Sequence, residues 1–313
     1  MKLSELVGYL NLLDSVNLTA EHDPLAKKFY EINHVVANHA VQIRERSQAF
    51  CHTVDQISQH FVHAQQSLDD LRLAVCDQIA TAEAAQYQTS QLLYEQEMIF
   101  ETTDYILSRR MTIDADSAMT LKGRVLRYTD WRMPGMILRP AQEKFIEDLV
   151  PLDPLYLVDQ HSDLLQPAID AFNPGYQRRL RPYVINDYAN DDPLWQLPRG
   201  QFGFVLAYNY FNYKPIAVMC RYITSLFECL RPGGVVIFTF NDCDWAHGVA
   251  LAESSLMTYT PSKVIRQHCH NTGFEITHYQ RATGNVCWME IRKPGEIESI
   301  RGGQSLAKIV ANQ

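Results

Sequence analysis

From Leu25 to Lys122 the chain contains neither proline nor glycine. Nothing in such a stretch breaks a helix, and its alanine, glutamine, glutamate and leucine content favours one. Inside it, Phe50, Val54, Ile57, Phe61, Ala64, Leu68, Leu71 and Val75 recur in alternating steps of four and three. That is the heptad seam of a coiled coil, whose apolar positions are buried only against another helix. The spacing predicts a homo-oligomer or a helical partner held through Phe50–Val75. An intramolecular bundle is the alternative. One helix over 25–109 and a helical hairpin both satisfy the pattern. His60 and His63 lie three apart with no further ligand in view, so no metal is expected there.

The rest of the chain is punctuated quite differently. At 313 residues and 46% hydrophobic it can fill more than one core. The net charge of −8 argues against charge-driven binding to duplex nucleic acid. No apolar run reaches the roughly 18 residues of a membrane span, and 1–16 has no basic segment leading into an apolar one. The seven cysteines are scattered, without a C-x-x-C pair. They read as reduced thiols, and the chain as cytoplasmic. Three regions are expected: helices over 1–122, an α/β domain over 123–295 and a tail over 296–313.

In the middle region strands and helices alternate. Met111–Gly123 reads as a connection and Val125–Trp131 as an extended arm. Gly135–Leu138 is a short apolar strand, and 141–150 has helical spacing. Pro154–Asp159 is a strand ending in a carboxylate, followed by a helix over 161–172 with Ser162 as its cap. Tyr183–Ile185 and Phe202–Tyr208 are further strands, and Pro215–Leu230 is a helix. Leu230-Arg-Pro-Gly-Gly234 reads as a helix stop and turn into the buried strand Val235–Phe240. A helix over 261–271 and a hairpin around 282–284 complete a doubly wound, mostly parallel sheet.

The run Leu230-Arg231-Pro232-Gly233-Gly234 before a buried strand, with this element order, resembles the class I S-adenosylmethionine-dependent methyltransferases over about 135–294. The resemblance implies a Rossmann-like sheet with a terminal antiparallel hairpin, S-adenosylmethionine as cofactor, and methyl transfer to a substrate the sequence does not name. In that family a glycine-rich turn follows the first strand. Here Arg139, Ala141 and Glu143 stand roughly where its glycines would be. A second register takes Asp130 as the family's acid and Gly135 as one glycine.

The same resemblance assigns the remaining candidates. Asp159, at the end of the second strand, would accept hydrogen bonds from the cofactor's ribose, with Gln160 beside it. A carboxylate suits two hydroxyl donors. Asp187 would face the adenine. Tyr208 or Tyr210 would stack on a planar group, and Asn209 would accept a substrate N–H. Apart from the resemblance, the polar cluster after the fifth strand offers His247 as a general base with Asp244 close in sequence to orient it. Methyl transfer asks for alignment more than for acid–base groups, so a missing base would not abolish it, whereas a missing cofactor pocket would. Two readings follow: an active methyltransferase, or a methyltransferase-like domain that has lost its cofactor and serves assembly through the helices. No dinucleotide fingerprint or phosphate loop supports another nucleotide enzyme.

Overall fold

A computed structural model describes residues 47–99, 115–130, 133–140, 145–186, 191–254, 257–281 and 287–296. The chain divides into two compact units, Met1–Ala84 and Ala85–Gln313. Helix α1 (Ser47–Ile99, 53 residues) starts in the first and ends in the second. It runs unbroken through the predicted seam, as a stretch without proline or glycine should. The expectations for 1–46 lie outside the described residues.

The second unit holds a seven-stranded sheet of order β3-β2-β1-β4-β5-β7-β6. Its strands are β1 (Gly135–Leu138), β2 (Leu155–Asp159), β3 (Leu180–Val184), β4 (Phe202–Ala207), β5 (Leu230–Phe240), β6 (Glu275–Arg281) and β7 (Cys287–Arg292). β1 to β5 pair in parallel, and β7 is antiparallel to both β5 and β6. The helices are α2 (Ala115–Leu126), α3 (Ser162–Asp170), α4 (Pro174–Gln177), α5 (Ile216–Cys229), α6 (Ala246–Ser254) and α7 (Ser262–Thr272).

Alternate strand residues enter two apolar clusters, as the two-residue period of a strand requires. Met136, Leu138, Val158, Val205, Ala207, Val236 and Phe238 join Tyr222 and Leu226 of α5 and Ile265 of α7. Ile137, Leu157, Phe204, Leu206 and Ile237 join Leu121 and Val125 of α2 and Leu165 of α3. The sheet is covered on both sides, which is why its central strands read as continuous apolar runs.

Several local expectations are corrected. α2 is a helix where a connection and an extended arm were expected. It passes through Gly123, whose added Cβ would meet nothing within 4 Å. Leu121 and Val125, four apart, give it a buried face. The helical spacing over 141–150 resolves, in its described part, to a single 3-10 turn at Ile146–Leu149. His161, and not Ser162, occupies the N-cap position of α3. The helix α6 had no counterpart in the expected elements.

Gly233 and Gly234 are not a helix cap. α5 ends at Cys229, its cap residue Leu230 is already extended, and β5 runs through both glycines. The pairing with β4 jumps from Phe202↔Leu230 to Phe204↔Val235, which marks a bulge. Gly233 has φ +77°. A Cβ on Gly234 would lie 2.8 Å from the Phe202 carbonyl oxygen. Gly135 is the first residue of β1, so Arg139 is the residue after the strand, as the first loop register has it.

Glu290 of β7 fixes α2 to the sheet. It is buried and accepts hydrogen bonds from Arg124 Nη1 (3.0 Å), Tyr128 Oη (2.6 Å) and Thr277 Oγ1 (2.7 Å). Burial alone would raise its pKa, yet these donors together hold it below the usual carboxylate value. Burial and the neighbouring carboxylate push the Tyr128 hydroxyl upward. Among the described residues, no helix is long and apolar enough to cross a membrane.

Candidate functional site

In an open parallel sheet the ligand crevice lies beyond the carboxyl ends of the strands, at the switch between the two halves. Here the switch falls between β1 and β4, so the loops after β1, β2 and β4 converge on it.

Arg139 follows β1 directly. Its φ is +60°, a region an L residue enters at a cost of roughly 1 kcal/mol. Its backbone N–H donates to the Val158 carbonyl (2.8 Å), which binds the loop to β2. The side chain is 1% exposed and turns inward. Its Nε lies 3.4 Å from Asp159 Oδ2, and its guanidinium lies 5.1 Å from the Tyr210 ring centre. Asp159 ends β2 and is fully buried. Its Oδ1 accepts the His161 backbone N–H (3.0 Å), whereas Oδ2 accepts no hydrogen bond among the described residues.

A second buried cation stands beside this pair. Lys214 precedes α5 and is 0% exposed. Its ammonium donates to Gln160 Oε1 and lies 4.7 Å and 5.1 Å from the ring centres of Tyr94 and Tyr210. Tyr210 shares a 2.7 Å hydrogen bond with Tyr222 Oη. Tyr210 thus has both cations within 5.1 Å of its ring centre, and aromatic faces suit cations where water is excluded.

Of the residues predicted for the site, the structure joins Arg139 to Asp159, and Gln160 to the same cluster through Lys214 and Tyr210. Asn209, buried and at φ +52°, donates its backbone N–H to Thr239 Oγ1 (2.6 Å), which in turn donates to Asn212 Oδ1 (2.9 Å). Tyr208 points into the other apolar cluster and meets Phe145 edge-on at 5.3 Å, so it does not share the surroundings of Tyr210. Ala141 and Asp187 lie outside the described residues.

His247 is exposed in the first turn of α6, its ring 6.2 Å from that of Trp245. Asp244 caps α7 through bonds from Ser262 Oγ and the Lys263 N–H, both 2.7 Å. The carboxylate expected to orient His247 therefore has another task. Asp242 makes the same corner rigid. Its Oδ1 accepts the backbone N–H groups of Asp244 (3.0 Å) and Ser262 (3.2 Å). Its Oδ2 accepts from Tyr279 Oη and from Arg281 Nε (2.9 Å). Burial, then the bond to Asp242, pushes the Tyr279 hydroxyl up to about 12.

Sequence reasoning found Arg139, Asp159 and Gln160 and missed Lys214, Tyr94 and Tyr222. A lone lysine before Pro215 carries no spacing signal, and Tyr94 comes from a helix far away in sequence. The one available clue was that Lys214 falls in a segment otherwise rich in buried aromatics.

The fold is a doubly wound, mostly parallel sheet of order β3-β2-β1-β4-β5-β7-β6. The expected doubly wound sheet with its terminal antiparallel hairpin is present strand for strand. A methyltransferase from Mesorhizobium loti, described as S-adenosylmethionine dependent, aligns over 56% of this chain and 96% of its own, at 11% identity and a TM-score of 0.44. An N-methyltransferase from Bradyrhizobium japonicum, solved with S-adenosylhomocysteine, aligns over 56% and 87%, at 15% identity and 0.44. A putative sarcosine dimethylglycine methyltransferase from Galdieria sulphuraria aligns over 57% and 87%, at 10% identity and 0.45. No protein-family model matches the sequence, and no curated protein does.

The residues at this edge do not fit S-adenosylmethionine as the family holds it. The cofactor brings a sulfonium cation and ribose hydroxyls that need a carboxylate. Here Asp159 already faces a buried guanidinium, and a second buried cation stands beside it. Like charges in a low-dielectric site repel strongly, and Arg139 fills space that a glycine would leave to the cofactor.

Proposed function

We propose that this chain is a methyltransferase-like protein whose sheet domain serves a structural or assembly role, carried by its helical arm, and does not turn over S-adenosylmethionine. The observation that supports this reading is the buried contact between Arg139 and Asp159. The side chain that replaces the family's first glycine occupies the carboxylate that the ribose would need. A buried arginine in a left-handed backbone conformation costs stability, so it persists only where the surroundings hold it.

One observation favours the second reading, an active S-adenosylmethionine-dependent methyltransferase. The acid is retained at the end of β2, and its Oδ2 accepts no hydrogen bond among the described residues. An inward arginine that swung away would leave that oxygen to a ribose hydroxyl.

Calorimetric titration of the full chain with S-adenosylmethionine and S-adenosylhomocysteine separates the two. The structural reading expects no saturable heat from either compound. Micromolar binding that disappears in Asp159→Ala would overturn it in favour of the second reading.

A further inference from the structure

We propose that α1 pairs with α1 of a second copy of this chain, antiparallel, about a two-fold axis passing between Val62 and His63. This goes beyond the reading of the sheet domain and does not depend on it.

Among the described residues the seam is helical and exposed. Ile57 is 49% exposed, Phe61 50%, Leu68 39% and Leu71 51%. Val54 is half-buried and Ala64 exposed. Val75, next along, is buried, so the proposed contact stops at Leu71. Large apolar side chains in alternating three- and four-residue steps form the stripe that a partner helix covers.

The order of residue sizes along the stripe decides the arrangement. In a parallel, in-register pair each residue meets its own copy. Phe61 would press on Phe61, and one layer further Ala64 would face Ala64. An overfilled layer would then lie next to an underfilled one, and both defects destabilise a core. The antiparallel pair about the proposed axis sets Phe61 against Ala64, Ile57 against Leu68, and Val54 against Leu71. Every layer then combines a larger with a smaller or equal side chain, and the six residues fill an even seam.

The flanks agree. About this axis Ser58 faces Gln65 of the second copy, and His60 faces Ser67. Asp55, Asp69 and Asp70 fall on the outer positions of the heptad. No like charges are brought together beside the seam, so the helix carries nothing that selects against its own copy. A two-fold contact of this kind closes on itself and yields a dimer.

The test uses the full chain with Cys51→Ser and Cys76→Ser, so that native thiols on α1 do not interfere. Sedimentation equilibrium is expected to give twice the 36.0 kDa of the single chain. Phe61→Asp is expected to weaken the dimer at least 100-fold without loss of helix by circular dichroism, because Phe61 is already half exposed in one copy. Under oxidation, Val54→Cys with Leu71→Cys in the same chain is expected to form an interchain disulfide. Leu71→Cys alone is expected to form none, since the two copies of that position would stand roughly 25 Å apart along the axis. A monomer at all concentrations, a trimer, or a cross-link through Leu71→Cys alone would each overturn the proposal.

Discussion

Asp159, the last residue of β2, and Asp242, just after β5, stand at the carboxyl edge of the same sheet, and both are buried, yet they are served very differently. Asp242 has four donors: two backbone N–H groups, the Tyr279 hydroxyl and Arg281 Nε. Asp159 accepts one backbone N–H and has a guanidinium nitrogen at 3.4 Å. A buried carboxylate with all its lone pairs used holds a corner of the fold together. One with an oxygen left over is what a ligand site, or the remnant of one, leaves behind. The corner after β5 is therefore architecture. At the edge of β1 and β2, the proposed reading takes the contact of Arg139 with Asp159 as what closes the crevice.

The largest effect should come from the fully served carboxylate. Asp242→Ala leaves two backbone N–H groups and a tyrosine hydroxyl without their acceptor, and is expected to cost about 2 to 4 kcal/mol. Chemical denaturation at neutral pH measures this. A loss under ~1 kcal/mol would mean that water replaces the carboxylate readily, and the contrast between the two acids would fail.

An intermediate effect is expected at Glu290. Its folded-state pKa is lowered, so its contribution is fully present above the ordinary carboxylate pKa. It disappears as the pH falls through the lowered value. Glu290→Gln should lose about 1 to 3 kcal/mol at neutral pH and flatten the acid limb of the stability curve. An unchanged acid limb would show that the contacts with Arg124, Tyr128 and Thr277 give the carboxylate no preference for its charged form.

The smallest effect is expected at the closed edge. Arg139→Gly removes left-handed strain of roughly 1 kcal/mol while giving up the contacts with Tyr210 and Asp159. Losing one partner of a sealed buried pair costs about 3 to 5 kcal/mol, but water entering the space that Arg139 vacates would solvate Asp159, and with the strain relieved the net loss should stay under ~1 kcal/mol. A loss above ~3 kcal/mol would place Arg139 with Asp242 as a structural post and remove the distinction.

The sheet was readable because its residues obey one rule at a time. Uncharged β-branched and aromatic runs such as Val235–Phe240 are strands under any burial on two faces, and Thr272-Gly273 ends a helix as expected, with Gly273 at φ +99°. Reading failed where one local signal has two uses. Gly233 and Gly234 suit a helix cap and a bulge equally, and only the register with β4 decides. Gly123 looks like a break, yet α2 passes through it because Leu121 and Val125 are buried against the sheet. At the site, Asp159 was legible from its place at a strand end. The cluster around Tyr210 was not, because Tyr94, Lys214 and Tyr222 meet only in three dimensions, and cation–aromatic contacts leave no periodic trace.

The most direct test of the closed edge is a crystal structure of the full chain grown with saturating S-adenosylhomocysteine. Predicted is a guanidinium of Arg139 lying against Asp159 and Tyr210, with no nucleoside density beyond β1 and β2. Ribose hydroxyls on Asp159, with Arg139 turned out of the crevice, would contradict the account.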